Sequence, residues 1–100
     1  MDTLIKNVTA AGTAEPLNAT SFAVTSLVIR ARPDNTGNVY VGGEDVDNTK
    51  VPWEPGDFIG YDLDYANFGL DLNKLYVDAD NNGDGVYLYF VEPNAFTKED

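Results

Sequence analysis

The chain has 100 residues, which fits one domain, and it carries six basic and seventeen acidic residues with no histidine. The resulting net charge of −11 argues against binding to nucleic acid or to anionic membranes, since both depend on clustered Lys and Arg. The absence of cysteine excludes a disulfide framework and thiolate chemistry. We therefore expect the partners to be basic protein surfaces or cations.

The first twenty residues are small and polar, with Leu4, Ile5 and Val8 as the main apolar positions. They fit either a short strand or an extended arm over residues 1–11 that becomes ordered only against a neighbouring molecule. The segment lacks the basic start and apolar run of a signal peptide. No stretch reaches the roughly 18 apolar residues of a membrane helix. We expect a protein that is made in the cytoplasm without export and that does not bind membranes.

Residues 22–32 are rich in β-branched and apolar side chains, which predicts a strand. The apolar alternation changes parity midway, so we expect a bulge or bend near Thr25 and Ser26. The inward positions on the two sides of this bend are Phe22, Val24, Leu27, Ile29 and Ala31.

Two turns divide the middle of the chain. Residues 33–38 combine Pro, Asn and Gly, which favour tight turns, and we expect residues 30–32 and 39–41 to pair across them as a hairpin. Residues 55–57, Pro-Gly-Asp, form the second turn. An alternating strand over residues 58–64 follows it, with Ile59, Tyr61 and Leu63 on one face.

The next segment predicts a single helical turn. Leu70, Leu72 and Leu75 are expected to point inward, and Asp71 is placed to cap a turn at residues 72–74.

Residues 75–92 look like the centre of the fold. They contain two alternating apolar segments on either side of a turn rich in Asn, Gly and Asp, which predicts an antiparallel hairpin onto which the other strands pack. Pro93 ends the second strand, and residues 93–100 are expected to form a loose tail. The whole chain therefore predicts a single all-β domain over residues 1–100, either an antiparallel β-sandwich or a small jelly-roll-like barrel.

The amino-acid composition gives little support for a catalytic function. Without His and Cys, the commonest general base and the best nucleophile are missing. A carboxylate pair would suffice for glycoside hydrolysis, but the acidic residues lie mainly in expected turns, where water keeps them ionised. We predict a protein that is not an enzyme and that has no catalytic residues.

The turn of the expected hairpin also raises a calcium hypothesis. Its D-x-D-x-N-G-D order supplies four oxygen-bearing side chains on a loop bent by glycine, namely Asp78, Asp80, Asn82 and Asp84. The helix-loop-helix calcium motif, however, needs a bidentate Glu at its twelfth position, where this chain has Tyr89. The flanking segments also read as strands, so the sequence favours a plain turn, with no cofactor, over a specific calcium site.

Aromatic side chains are the best candidates for a contact surface. Tyr and Trp combine a large apolar area with a polar tip, which suits interfaces, although strand aromatics more often cover a sheet face. The interaction candidates are Trp53, Tyr76, Tyr87 and Tyr89.

Several short motifs occur together in one order. They are Gly-Thr-Ala at residues 12–14, Asn-Thr-Gly-Asn-Val-Tyr-Val-Gly at 35–42, Pro-Gly-Asp at 55–57, Leu-Tyr-Val-Asp-Ala-Asp at 75–80 and Gly-Asp-Gly-Val at 83–86. In this order and spacing, over residues 12–91, the chain resembles the small β-rich virion proteins of tailed bacteriophages of the head-decoration, or cement, type.

The resemblance implies a structural protein of the virion, made in the cytoplasm of the bacterial host. Such a protein would bind the outside of the assembled head, often as a homo-oligomer, with the major capsid protein or another virion protein as its partner. The alternatives are a carbohydrate- or receptor-binding β module of a tail fibre or spike, motivated by the aromatic residues, and a calcium-stabilised adhesion-like domain.

Overall fold

The computed structural model describes residues 2–62 and 70–91. In these ranges the chain forms antiparallel strands and one 3₁₀ turn, with no α-helix and therefore no helix that could span a membrane. The strands are β1 (Asp2–Asn7), β2 (Glu15–Pro16), β3 (Ala23–Val24), β4 (Ser26–Ala31), β5 (Val39–Gly42), β6 (Phe58–Asp62), β7 (Leu70–Asp71), β8 (Tyr76–Ala79) and β9 (Gly85–Val91), and the 3₁₀ helix spans Leu72–Lys74. The prediction of an all-β, antiparallel fold is confirmed.

The strands form three sheets. The largest has the order β1-β9-β4-β6, the second β2-β8-β5, and the third is the pair β3-β7. This arrangement is consistent with a small β-sandwich. Closure into a barrel is not seen, since β1 and β6 are the outer strands of the four-stranded sheet among the described residues.

The core lies between the sheets and follows the alternation of the sequence. Along β9, Val86, Leu88 and Phe90 are buried, while Tyr87 and Tyr89 are only partly covered. From the opposite sheet, Val77 and Ala79 are buried in the same cluster. Since each strand contributes every second side chain to one face, the inward set predicted from the sequence is the observed core in these strands.

The pairing of the two central strands differs from the predicted hairpin. β8 pairs with β2 and β5, whereas β9 pairs with β1 and β4. Both sides of each strand are therefore occupied by other partners, and the hairpin prediction was wrong. Residues 80–84 carry the chain from one sheet to the other, across a core about 10 Å thick, and we call this segment the crossover loop.

The predicted hairpin of residues 30–32 with 39–41 was also wrong. β4 pairs with β6 and β9 in the four-stranded sheet, and β5 pairs with β8 in the second sheet. The intervening turn therefore also joins the two sheets. Alternation reveals which side chains point inward, but it is identical for two strands side by side and for two strands facing each other across a core.

The structure confirms three local predictions. The bend expected near Thr25 is the break at which the chain leaves β3 for β4. The Asp71 side chain caps the 3₁₀ helix by accepting a hydrogen bond from the Asn73 N–H at 2.9 Å. Leu72, in the first position of that helix, is fully buried.

The N-terminal segment, which fitted a strand or an arm, lies in the fold. Residues 2–7 form β1, and all six of them pair with β9. The predicted strand over residues 58–64 is described as far as Asp62, and the predicted tail at residues 93–100 lies outside the described residues.

Gly85 is the closest backbone contact between β1 and β9. A Cβ atom on Gly85 would overlap the carbonyl oxygen of Lys6 and lie 2.7 Å from the Asn7 Cα. We expect Gly85→Ala to lower the free energy of unfolding by about 3 kcal/mol, because the backbone of β1 would have to move. Gly60→Ala in β6 is the control, since its Cβ would meet only the Val28 Cγ2 atom at 3.6 Å. Denaturant unfolding of both variants measures the difference, and equal stabilities would contradict this packing.

Asp71 predicts a pH dependence of stability. Hydrogen bonds from the Ser21 hydroxyl, and then from the Phe22 and Asn73 N–H groups, hold the pKa of this carboxyl below its ordinary value. A lowered pKa in the folded state contributes stability above the unfolded-state pKa, which is lost as the pH falls through the folded value. We expect Asp71→Asn to be less stable than the wild type at neutral pH, with a difference that shrinks in acid. Urea unfolding between neutral pH and about pH 3 tests this, and a difference independent of pH would contradict it.

Candidate functional site

The crossover loop holds the residues of the calcium hypothesis, and its backbone is a tight turn. The N–H of Asp84 donates to the Asn81 carbonyl at 3.3 Å, and Gly83 has a positive φ of 88°. Glycine adopts this conformation without steric cost. The loop also pairs with the chain beyond β1, since the N–H of Val8 donates to the Asp84 carbonyl and the N–H of Gly83 donates to the Val8 carbonyl, both at 2.8 Å.

Asp84 ties the crossover loop to the turn between β4 and β5. Its carboxylate accepts hydrogen bonds from the N–H groups of Thr36, at 3.0 Å, and Gly37, at 2.9 Å, and from the Thr36 hydroxyl at 3.1 Å. Asp84 is only 6% exposed. The adjacent Gly85 is held by the same turn, because its N–H donates to the Asn35 side-chain oxygen at 2.9 Å and its carbonyl accepts from the Asn35 amide at 2.9 Å.

Asp78 and Asn82 tie the loop to the segment that follows β1. The N–H of Gly12 donates to the buried Asp78 carboxylate at 2.8 Å, and the N–H of Ala11 donates to the Asn82 side-chain oxygen at 2.7 Å. The Asp78 carboxylate also accepts from the N–H of Ala79 at 2.8 Å.

Asp80 binds the second sheet through Tyr40. The Tyr40 hydroxyl donates to the Asp80 carboxylate at 2.9 Å. Burial of the Tyr40 side chain, reinforced by this hydrogen bond, raises the pKa of its hydroxyl. Tyr40 is therefore a neutral donor at physiological pH, and it anchors the start of the crossover loop to β5.

The four side chains of the calcium hypothesis thus bind three different parts of the protein, namely the segment after β1, strand β5 and the turn between β4 and β5. Each of them accepts at least one hydrogen bond from a protein donor. Within residues 2–62 and 70–91, no three His, Cys, Asp or Glu side chains are grouped closely enough to hold a metal ion. The geometry therefore gives the calcium hypothesis no ligand cluster, and calcium binding remains a prediction.

The second candidate site is the outer face of the four-stranded sheet. The strand register aligns two rows of side chains across it, because residues directly opposite in neighbouring strands share a face. One row consists of Ile5, Tyr87, Arg30 and Phe58, and the next consists of Thr3, Tyr89, Val28 and Gly60. We call these eight residues the two-row face.

The two-row face combines apolar and aromatic side chains with Arg30, and none of its eight residues is acidic, although the following row of the same sheet pairs Val91, Ser26 and Asp62. Ile5 is 61% exposed and Phe58 is 71% exposed, while Tyr87 and Tyr89 are partly covered. The two tyrosine rings meet edge to face, with their centroids 6.4 Å apart. The Arg32 guanidinium lies 5.8 Å from the centre of the Tyr87 ring and forms an ion pair with Asp34 at 2.8 Å. In a chain of net charge −11, the one charged residue within the two-row face is thus the basic Arg30.

The four aromatic interaction candidates do not form one surface. Tyr87 and Tyr89 lie together and border, with Thr3, Leu4 and Ile5, a shallow depression of about 210 Å³. Trp53 is half-buried against the core and forms a β-bridge with Val39, whereas Tyr76 lies in β8, opposite Pro16 and Gly42.

Six of the eight residues of the two-row face were not among the interaction candidates predicted from the sequence, which included only Tyr87 and Tyr89 from this face. Ile5, Arg30 and Phe58 belong to strands far apart in the chain, and only the register of β1, β9, β4 and β6 brings them into one row. The sequence does contain an apolar residue at this position in each outer strand, Ile5 in β1 and Phe58 in β6. Without the strand pairing, however, the outward side of these strands could not be distinguished from the inward side.

Comparisons with known proteins return no match for this chain, whether against protein-family models, curated protein sequences or solved structures. The class defined by fold and site is therefore the coarse one, an acidic all-β domain with exposed apolar and aromatic side chains on the four-stranded sheet.

The hydrogen bonds of Asp84 in the crossover loop indicate that its replacement lowers the stability of the fold. Asp84→Ala would remove the buried carboxylate that accepts from the N–H groups of Thr36, which is exposed, and Gly37, which is half-buried, so we expect the free energy of unfolding to fall by about 2 kcal/mol. The control is Asp45→Ala, which removes an exposed carboxylate from another loop and should change it by less than about 0.5 kcal/mol. Urea unfolding at neutral pH measures both, and a small effect at Asp84 would contradict a structural role.

Proposed function

We propose that this protein is a non-enzymatic structural protein of a tailed-bacteriophage virion that attaches to the outside of the assembled head as a decoration, or cement, protein. The observation that carries the proposal is the two-row face, in which the exposed Ile5 and Phe58 flank two partly covered tyrosines and none of the eight residues is acidic, on a chain of net charge −11. The order of motifs over residues 12–91 that resembles such proteins supports it independently.

The two-row face suits attachment to a large protein surface. Its side chains are presented by four paired strands, so docking needs no ordering of loops and its entropic cost is small. Tyr87, Tyr89 and Phe58 offer aromatic area, and Arg30 in the middle of one row offers a charge-assisted hydrogen bond to a partner carboxylate. The expected partner surface, on the major capsid protein or another virion protein, is therefore apolar with at least one acidic group.

The sequence motifs on which the resemblance rests have a structural role, whereas the two-row face is the proposed attachment surface. Residues 35–37 and 83–85 hold each other through Asn35, Asp84 and Gly85 at the crossover loop. They therefore build the scaffold, and the attachment surface lies on the outer side of the sheet that the scaffold supports. A rigid scaffold of this kind would bridge neighbouring shell subunits without deforming under pressure from packaged DNA.

We expect Phe58→Ser to weaken binding to the heads of the cognate phage about tenfold, since it removes an exposed aromatic contact while leaving the core unchanged. Ala10→Ser is the control, because Ala10 is exposed and lies beyond β1, outside the two-row face. Co-sedimentation of purified protein with empty expanded heads, over a range of concentrations, measures the affinity. A wild-type protein that does not bind these heads would overturn the proposal.

The alternative is a carbohydrate- or receptor-binding module of a tail fibre or spike. The tyrosine pair beside the depression lined by Thr3, Leu4 and Ile5 favours it, because aromatic faces can stack on sugar rings. Glycan-array binding that is lost on Tyr87→Ala but kept on Trp53→Ala would support this function, since Trp53 lies on another part of the surface.

A further inference from the structure

Among residues 2–62 and 70–91, no strand pairs with the outer edge of β1. The ladder of β1 with β9 continues into Val8, whose N–H and carbonyl both bind the crossover loop. In an antiparallel ladder, successive residues direct their backbone groups to opposite sides. The backbone N–H and C=O groups therefore point toward β9 at Asp2, Leu4 and Lys6. They point away from the sheet at Thr3, Ile5 and Asn7.

This edge lacks the usual protections against pairing. Proteins commonly guard outer strands with Pro, bulges or inward charges. Residues 2–7 contain neither Pro nor Gly, and their pairing with β9 runs without a bulge over six successive residues. The one basic side chain, Lys6, is held by an ion pair with Glu15 at 2.8 Å, and its ammonium group, which has three donors, can bind a second carboxylate.

We propose that two copies of this chain pair through β1, antiparallel, about a two-fold axis at Leu4. In this register Leu4 faces Leu4 of the second copy, and Asp2 faces its Lys6, so each strand end places opposite charges together. Thr3 faces Ile5, and these are the residues whose backbone groups point outward, so both pairs can exchange two hydrogen bonds. The result is one continuous eight-stranded sheet.

The partner of the β1 edge is a second copy of the chain, because the charge pattern of β1 is complementary to itself. The acidic and basic residues of Asp2-Thr3-Leu4-Ile5-Lys6 lie at equal distances from the central Leu4, which is what an isologous two-fold interface requires. Pairing would also cover the partly exposed Leu4 and the adjoining groove lined by Lys6, Pro16 and Leu17. This proposal does not rest on attachment to a phage head, and it uses the backbone edge rather than the two-row face.

The absence of cysteine from the chain allows a direct test by cross-linking. In the proposed register Leu4→Cys places two cysteines directly opposite each other at a non-hydrogen-bonded pair, with Cα atoms about 4.5 Å apart, within reach of a disulfide. Ile5→Cys is the matched control on the same strand. Its two cysteines would be offset by two residues along the strands, with Cα atoms about 8 Å apart, which is too far for a disulfide.

Light scattering coupled to size-exclusion chromatography should give twice the mass of one chain for the wild-type protein. Under mild oxidation, Leu4→Cys should form at least about ten times more disulfide-linked dimer than Ile5→Cys. Thermal melts of both reduced variants check that the fold is kept.

A monomeric wild type would overturn the proposal. Cross-linking of the Ile5→Cys variant instead of the Leu4→Cys variant would also overturn it, because it would show a register centred on Ile5. A wild-type oligomer in which Leu4→Cys does not cross-link preferentially would show that another surface joins the copies. If β1 of a monomeric protein bound a different protein, that protein, and not a second copy of this chain, would be the partner of the β1 edge, and the proposal would be overturned.

Discussion

The fold depends on the passage of the chain between two sheets at the crossover loop. β8 and β9 are adjacent in sequence but belong to different layers, so the residues between them leave one ladder and enter another within a few positions. Their backbone and side-chain polar groups need partners during that passage, because unpaired polar groups in a covered place are costly. The segment after β1 and the turn between β4 and β5 supply these partners through Val8, Asn35 and Thr36.

This demand explains what the acidic turn residues do. A loop of Asp, Asn and Gly looks like a ligand site because carboxylate and amide oxygens bind cations well. Here the same oxygens accept backbone N–H groups from two neighbouring segments and the hydroxyl of Tyr40, and Gly85 allows β1 to approach β9 closely. These polar groups are used to join the two sheets, so we look for function on the surfaces that the crossover loop leaves open.

Two such surfaces belong to the four-stranded sheet and use different chemistry. The two-row face offers side-chain area with two arginines nearby, and the edge of β1 offers backbone hydrogen bonds with a self-complementary charge pattern. They lie on a face and on an edge of the same sheet, so one copy can use both together. A pair of chains joined at β1 would align two such faces in one extended sheet, which doubles the area available to a common partner and strengthens attachment through multivalency.

The sequence by itself determined the all-β class, the buried apolar positions of β4, β8 and β9, the break at Thr25 and the Asp71 cap. Each of these depends on residues within a few positions of one another, where alternation, turn propensity and capping act. Only the tertiary structure decided that β8 and β9 lie in different sheets, that Asp84 binds Thr36 and Gly37, and that Ile5, Tyr87, Arg30 and Phe58 form one row. These features depend on which strands pair and in which register, and that choice is made by the packing of segments far apart in the chain, which local periodicity does not encode.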